Sequence, residues 1–572
     1  MNALSPVYTE KAECQDCYRC LRNCPVKAIK IEQGVASVLE ELCIHCGKCV
    51  AACPRGAKKV RNDIALAEKL FASGKSVIAS IAPSFRSEFD HITDHDFIYA
   101  LKQLGFSGVS ETALGAEEVS GHVYRLLNES SEYNEPMIST ACPVVVNYIR
   151  KYYPSLTRLL SPVLSPMLSH SKLLKEIYPD SAVVFFGPCI AKKDEIVQYP
   201  NLCDCVLTFQ NLRTMFEQKG ITFGNGKAGT DIFTPRKAQE GTVYPVDGGM
   251  IAGIRGNGRI IDRHMMHFSG LPEIESVLNS LSTLKTEEPL FLELLACPGG
   301  CINGPVAQKD DSILSKRISI LRNTEELMWR DPAVTVENVE GITEPFEIPS
   351  KEVSDEDIIK VLRATGKYTP EDEHNCGGCG YLNCRDFAKA VVEGRAETAM
   401  CVTYMRKLAS KKANKLISAI PLGVVIVDTS MRIIECNERF AILAGDDAMT
   451  IFEQRPGMAG AVLDKVLPVG SFFRHVLESE EDISSREINI NNRLLRCTIF
   501  TIEPGLIAGG IFSDITDPEM QREEIIKRAR SVIRKNLSTV QKIAYLLGEN
   551  ASETEMVLSG IIECFGPQDQ EE

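Results

Sequence analysis

The sequence predicts a multidomain fold of α/β and α+β class, organised around clustered cysteines. Three observations predict it. Eight cysteines fall in two runs at metal-ligand spacing before residue 60. From about 61 to 305, β-rich runs such as KSVIASIAPSF and SAVVFFGPCIAKK alternate with helical stretches such as ITDHDFIYALKQLGF, the rhythm of a largely parallel sheet covered by helices. From about 408 onward the ligand spacings stop and the pattern changes to short strands with turn residues between them.

The first element spans residues 1–60. Cys14, Cys17, Cys20 and Cys24 are followed by Pro25, and Cys43, Cys46, Cys49 and Cys53 by Pro54. This is the C-x2-C-x2-C-x3-C-P run of a two-cluster bacterial ferredoxin, written twice. In that arrangement the fourth cysteine of each run serves the other cluster. Cys14, Cys17, Cys20 and Cys53 are therefore expected to hold one [4Fe-4S] cubane, and Cys43, Cys46, Cys49 and Cys24 the second. Zinc also takes paired CxxC spacings, but the third cysteine of each run and the trailing proline argue for iron and sulfide.

The second element spans 61–340. Helices are expected over PSLTRLLSPVLSPMLSHSKLLKEIYP and over ETALGAEEVSGHVYRLL. Four further cysteines have local settings suited to a metal ligand: Cys142 in STACPVVV, Cys189 in GPCIAKKDE, and Cys297 and Cys301 in ACPGGCINGP. Four soft thiolates are what one cubane needs. The two glycines between Cys297 and Cys301 would let the backbone approach a cluster where a Cβ would collide. Cys203 and Cys205, in DCVLTFQNLRTMF, lack partners at ligand spacing and read as buried thiols.

These three segments resemble the three signature motifs of [FeFe]-hydrogenases, TSCCP, MPCxxKKxE and MACPGGC. The resemblance implies a catalytic α/β core in which Cys142, Cys189, Cys297 and Cys301 hold the cubane of the H-cluster. It also implies that Cys301 bridges to a two-iron unit carrying CO, cyanide and a dithiolate amine, and that Lys192 makes charge-assisted contacts to a cyanide. The sequence departs from the family at Ala141, where typical enzymes carry the cysteine that relays protons. It departs again at Gly187 and Leu295, where they carry methionines. Glu117 and Glu118 match a glutamate pair that carries protons inward, but the residue one turn beyond Glu118 is Gly121. A positioned general acid/base is worth ~10²–10⁴ in rate, so slow turnover is expected.

Residues of about 306–354 read as a connector, with Pro332, Pro345 and Pro349 and little periodicity. A helix is expected from Ser354, which forms a near capping box with Asp357. Within 355–407, Cys376, Cys379, Cys384 and Cys401 resemble the small four-cysteine iron–sulfur domain of several bacterial redox proteins. Zinc stays open there, because four cysteines in a short domain do not separate the metals.

Residues 408–516 resemble a PAS domain. LISAIPLGVVIVDTSMRIIECNERFAILAG opens it with a hairpin turning at Asp428 and a helix after Cys436 and Asn437, and LIAGGIFSDIT closes it. His475 is the sole histidine of this stretch and reads as a surface or core residue more readily than a haem ligand, and Cys436 and Cys497 as buried positions. Beyond it, 517–565 is expected to form an output or dimerisation helix starting at Asp517 and Pro518. Ile526, Ile533, Val540 and Leu547 recur every seven residues, and either a parallel homodimer seam or an amphipathic helix folded back on its own domain fits them.

A chain of 572 residues with 21 cysteines, most of them clustered at ligand spacings, and no signal peptide fits a reducing, cytoplasmic compartment. Its apolar runs are short and broken, so no membrane segment is expected. A net charge of -14 without a basic cluster argues against nucleic acid. The expected function is that of an H2 sensor, slowly interconverting H2 with protons and electrons. Its expected partners are a redox protein such as ferredoxin and a downstream signalling protein, since no kinase or DNA-binding motif follows. Two alternatives are a hydrogenase-like iron–sulfur assembly protein without the two-iron unit, and a ferredoxin-linked hydrogenase working for net turnover.

Overall fold

Two short antiparallel ribbons open the chain, and their pairing brings its two cysteine runs together. The structure, a computed structural model, describes residues 5–129, 135–223, 231–255, 264–283, 290–308, 311–322, 336–337, 340–348, 352–490 and 493–516. It divides into two compact units, Met1–Leu362 with Thr369–Glu397, and Arg363–Tyr368 with Thr398–Glu572. In the first unit, β1 (Val7–Thr9), β2 (Ile29–Glu32), β3 (Val35–Val38) and β4 (Lys58–Val60) pair as β1 with β4 and β2 with β3, both antiparallel. Each cysteine run closes in a short helix, Arg19–Asn23 and Lys48–Ala52. The residue before each helix is left-handed, Tyr18 at φ 55 and Gly47 at φ 72.

Two parallel sheets follow. β5 (Val77–Ile81), β6 (Gly108–Glu111), β8 (Ala182–Gly187) and β9 (Cys205–Thr208) form one, in the order β6-β5-β8-β9. Every residue of β5, β8 and β9 is buried, as expected of strands covered by helices on both faces. β7 (Met137–Ile138), β10 (His264–Ser269) and β11 (Leu290–Leu295) form the other, in the order β10-β11-β7. The helix Asp94–Leu104 starts where expected, with Thr93 accepting a hydrogen bond from Asp96 N–H. The helix Ala113–Glu129 lies so close to Pro166–Ile177 that a Cβ on Gly115 would meet Pro166 O at 2.2 Å.

Two expectations need correction. The helix expected over residues 154–179 is a 3-10 segment Pro154–Leu159, an extended stretch and a true helix only at Pro166–Ile177. Pro162 and Pro166 restrict the residues before them, and Leu160 bridges to Ile138 instead. The expected connector also contains a helix, Ile313–Arg322, anchored by buried Ile320 and Lys316. The helix expected from Ser354 is Asp355–Ala364, with the Ser354 hydroxyl accepting from Asp357 N–H at 3.2 Å.

The second unit carries an antiparallel sheet of β12 (Gly423–Asp428), β13 (Ile433–Cys436), β14 (Ile483–Ile490), β15 (Arg493–Glu503) and β16 (Ile507–Asp514), in the order β13-β12-β16-β15-β14. The first hairpin turns at Asp428, whose carboxylate accepts from Ser430 and Arg432 N–H. One sheet face is filled by Phe440, Phe473, Phe512, Met458, Cys436 and Cys497. The other packs against Ile417 and Ile420, at the end of the helix Val402–Ala419. His475 is exposed. The heptad positions from Ile526 to Leu547, and the helix expected over 517–565, lie outside the described residues.

Candidate metal and catalytic site

Parallel strands deliver the thiols of the core to one recess. Cys189 follows the end of β8 by two residues and Cys297 follows β11 by two, while Cys142 caps the helix Pro143–Tyr152 just after β7. Cys142, Cys189, Cys297 and Cys301 line a recess of about 470 Å³ with Ala141, Lys192, Leu295, His45 and Cys46. Burial pushes the Cys189 thiol up to about 11, with the charge of Cys142 adding and that of Lys192 opposing. Burial also drives Cys297 well above the ordinary thiol range, with Cys301, Cys189, Cys142 and Cys46 each adding to it. A crowded set of buried thiols can exist as thiolates only beside a strong positive charge, and the irons of a cubane supply one. The donor set therefore fits the cluster.

The glycines between Cys297 and Cys301 also admit a protein neighbour. Gly300 has φ +97, and a Cβ there would meet Pro245 O at 2.3 Å and Val246 Cα at 2.9 Å. The 245–247 backbone thus approaches the cysteine loop closely at Gly300. The same loop is fixed by Glu293 on β11, which accepts hydrogen bonds from Gly248 and Ile251 N–H. Burial lifts that carboxyl to about 7.

Lys192 is buried, and its ammonium donates to Ser165 Oγ at 2.8 Å and to Glu195 Oε2 at 2.7 Å. Sequence reasoning passed over Glu195, although it is the glutamate of the KKxE motif. Ala141 presents a methyl group to the recess, and its N–H donates to Ser139 Oγ. Glu117 is tied to Arg236 at 2.6 Å and to Gln239 N–H, Glu118 accepts from Val336 N–H at 3.1 Å, and Gly121 brings no carboxylate to the next turn. Cys203 and Cys205 are buried at 2% and 0% exposure, away from the recess.

The N-terminal cysteines group by their mutual charges. Cys20 feels Cys14 and Cys17, Cys43 feels Cys46 and Cys49, and Cys46 and Cys49 both feel Cys24, while Cys49 also feels Cys20, so the two sets lie close to each other. Equivalent backbone donors reach the last cysteine of each run, Ala28 N–H to Cys24 Sγ and Ala57 N–H to Cys53 Sγ, both at 3.2 Å. Such bonds to sulfur help set cluster potential. Cys46 lines the recess itself, so the second run abuts the core cysteines. His45 reinforces that junction: its Nε2 lies 2.8 Å from Glu40 Oε2 and its Nδ1 3.4 Å from Asp194 Oδ2. Burial alone would lower His45, but the two carboxylates outweigh it and lift it to about 9.

In the four-cysteine segment, Cys379 and Cys384 are buried and Cys376 is exposed. The segment packs on the first domain through Arg22 Nη1 to Gly378 O at 3.3 Å and Ile31 N–H to Arg395 O at 3.1 Å. Lys27 sits between Cys24 and Cys379; burial lowers its pKa and both thiols oppose that. Cys401 caps the helix Val402–Ala419 in the second unit. Burial alone would raise its thiol, but hydrogen bonds from Thr403, Tyr404 N–H and Lys367 bring it below the ordinary range. Among the described residues no three His, Cys, Asp or Glu side chains converge on a single metal ion, and no helix is long and apolar enough to cross a membrane.

Comparison with known proteins fits this geometry. The family described as iron only hydrogenase large subunit, C-terminal domain, matches residues 75–305, a 4Fe-4S dicluster domain matches 13–58, and a putative Fe-S cluster domain matches 373–403. Iron hydrogenase 1 of Clostridium pasteurianum is 27% identical over 45% of this chain and 55% of its own length. The NADP-reducing hydrogenase subunit HndD of Solidesulfovibrio fructosivorans is 25% identical over 54% and 58%. The cytosolic Fe-S cluster assembly factor NAR1 of Scheffersomyces stipitis is 25% identical over 38% and 41%. The chain spans about half the length of these curated relatives. A solved structure of an [FeFe]-hydrogenase HydA1 variant from Chlamydomonas reinhardtii aligns with a TM-score of 0.39 at 18% identity, covering 47% of this chain and 91% of that one. Residues 75–305 are thus similar to the iron only hydrogenase large subunit, C-terminal domain, and the segments matching iron–sulfur domains lie on both sides of them in sequence.

Proposed function

We propose that this chain is a PAS-linked, sensory [FeFe]-hydrogenase of low turnover. The observation that carries the reading is the single recess holding Cys142, Cys189, Cys297, Cys301 and Lys192 together with Ala141. The four cysteines would hold the H-cluster cubane, with Cys301 reaching the two-iron unit and Lys192 offering its ammonium to a cyanide. When bound, that group supplies the interconversion of H2 with protons and electrons. Lys192 is held in place by Ser165 and Glu195, and Ala141 holds no proton to exchange. The pairing of Glu117 with Arg236 leaves that carboxylate engaged, which further supports slow proton movement.

Electrons would pass through Cys46, which borders the recess, to the cubane of Cys43, Cys46, Cys49 and Cys24, and onward past Lys27 to the cluster of Cys376, Cys379, Cys384 and Cys401. The other N-terminal cubane, on Cys14, Cys17, Cys20 and Cys53, would exchange electrons with a ferredoxin-like partner. The sheet order β13-β12-β16-β15-β14 and the Asn437-capped helix support a PAS domain as the receiving element. A downstream signalling protein, and self-association through residues 517–565, complete the reading.

The similarity to NAR1 favours a second reading, an assembly factor with the cubane alone. Loading the protein with the two-iron unit and recording infrared spectra under H2 and under N2 separates the two. CO and cyanide bands that shift between the gases are expected. Their absence from protein with full cubane content would establish the assembly reading.

A further inference from the structure

Beside the recess lies a second cavity, of about 450 Å³, that none of the four core cysteines lines. Pro143 is common to both cavities, and the second is walled in part by Ser165 and Glu195, the two groups that hold the Lys192 ammonium. Val146 and Leu168 give it apolar faces, and exposed Ile342 belongs to its lining, so it is open to solvent. A volume near the lower end of the ~300–1,000 Å³ usual for ligand pockets, with apolar faces and a few fixed polar groups, suits a small organic molecule.

Two of those polar groups are held in place with donors to spare. The Arg150 guanidinium donates from Nε to Glu344 O at 2.7 Å and from Nη1 to Gln198 Oε1 at 2.8 Å. Both acceptors are neutral, and among the described residues Nη2 has no hydrogen bond and the guanidinium no carboxylate partner. The one carboxylate in the lining, Glu195, is already paired with Lys192 at 2.7 Å. A half-buried cation pinned in this way lacks its counter-charge. The Tyr199 hydroxyl accepts from Ile342 N–H at 2.6 Å, which leaves its own proton to donate. The charge of Arg150 reaches that hydroxyl. A planar fork of N–H groups beside a phenolic O–H is a donor set that a carboxylate accepts.

We propose that this cavity binds a small organic monocarboxylate, its carboxyl taken by Arg150 and Tyr199 and its hydrocarbon part by Val146 and Leu168. One guanidinium matches one negative charge, and the apolar faces favour a carbon skeleton over an inorganic anion. The site does not depend on the cluster reading, since none of its residues is a ligand cysteine. An occupant rests against Ser165, Glu195 and Gln198, so filling the cavity steadies the helix Lys192–Gln198 and the groups that position Lys192.

The test mixes the full chain, purified without oxygen, with acetate, butyrate and benzoate in turn and reads binding by saturation-transfer NMR on the small molecule. Neutral butyramide and inorganic phosphate are the comparisons. A carboxylate of the three should bind, butyramide should bind far more weakly, and phosphate should not displace the carboxylate. Arg150→Gln should weaken the bound carboxylate at least about tenfold, and Tyr199→Phe should weaken it several-fold. Amide hydrogen exchange over 192–198 should slow with the carboxylate in the wild type and not in Arg150→Gln. Where Arg150→Gln does not fold, Tyr199→Phe carries the same comparison. Absence of transfer to all three carboxylates would overturn the proposal, as would equal binding of butyramide, displacement by phosphate, or an affinity unchanged in a folded variant.

Discussion

Replacing His170 with glutamine should change how the catalytic core responds to acid. His170 is fully buried between β5, β6 and its own helix, with Nδ1 2.8 Å from Ser80 Oγ and Nε2 2.9 Å from Ser110 Oγ. Burial holds its pKa down to about 3, against an ordinary histidine value of 6.5. The unfolded chain therefore binds this proton below 6.5 and the folded chain only near 3. The stability that neutral His170 confers is complete above 6.5 and is lost progressively as pH falls towards 3. Between pH 7 and pH 5 the loss is about 2 kcal/mol. Glu293 runs the other way: its folded value of about 7 is above the ordinary 4.5, so its contribution is complete below 4.5 and is lost as pH rises through 7. The two nearly cancel in the wild type, so the stability of the wild type alone is uninformative and the difference from His170→Gln isolates the histidine. The assay is amide hydrogen exchange by mass spectrometry on peptides covering 77–81 and 108–111, at both pH values, which reports the opening free energy of those strands. The penalty of His170→Gln should be about 2 kcal/mol smaller at pH 5 than at pH 7. An equal penalty at both would refute the claim that His170 is neutral in the fold.

Ala141→Cys should raise H2 turnover by as much as ~10², because it restores a titratable group at the recess; an unchanged rate in assays with saturating electron donor would mean that proton transfer is not limiting. Glu195→Gln removes the carboxylate paired with Lys192, both side chains being about one-tenth exposed, and should destabilise the core by about 3–5 kcal/mol; exchange protection of the helix Lys192–Gln198 matching wild type would contradict this. Elemental analysis of oxygen-free protein should give about 16 irons before the two-iron unit is loaded, and zinc at one per chain would strike out the cluster at Cys376–Cys401. Ending the chain after Ala419 should preserve the core clusters and H2 chemistry yet abolish self-association measured by light scattering; loss of the core clusters would make the C-terminal region structural.

Cysteine spacing made the metal chemistry legible, because ligand geometry is local and each motif holds its own turn. The strands ending at Gly187 and Leu295 were legible for a related reason: a buried parallel strand is a continuous apolar run that stops where the chain must turn. The segment at 154–165 misled because its leucines keep helical spacing while Pro162 and Pro166 forbid the helix. The partners of Lys192 and Lys367 were of two kinds. Glu195 stood three residues away, within a motif already noticed. Thr365 and Cys401 meet Lys367 only through folding, and nothing in a lysine's neighbours along the chain announces that its ammonium will face a sulfur. The 245–247 backbone that crowds Gly300 was not legible, since it is remote in sequence.

The two cysteine runs look interchangeable on paper, yet they are keyed differently. At the turn before its helix the first run carries Tyr18 and the second Gly47, and a Cβ at Gly47 would strike Pro305 at 2.6 Å and Ile190 at 2.7 Å. Only one of the duplicated halves can seat against the core, as a plug with one blank pin fits its socket one way round. The asymmetry fixes which half stands beside the recess, while the helix of the other half meets the four-cysteine segment, where a Cβ on Gly380 would touch Leu21 at 3.0 Å, so each of the two similar halves answers to a different neighbour.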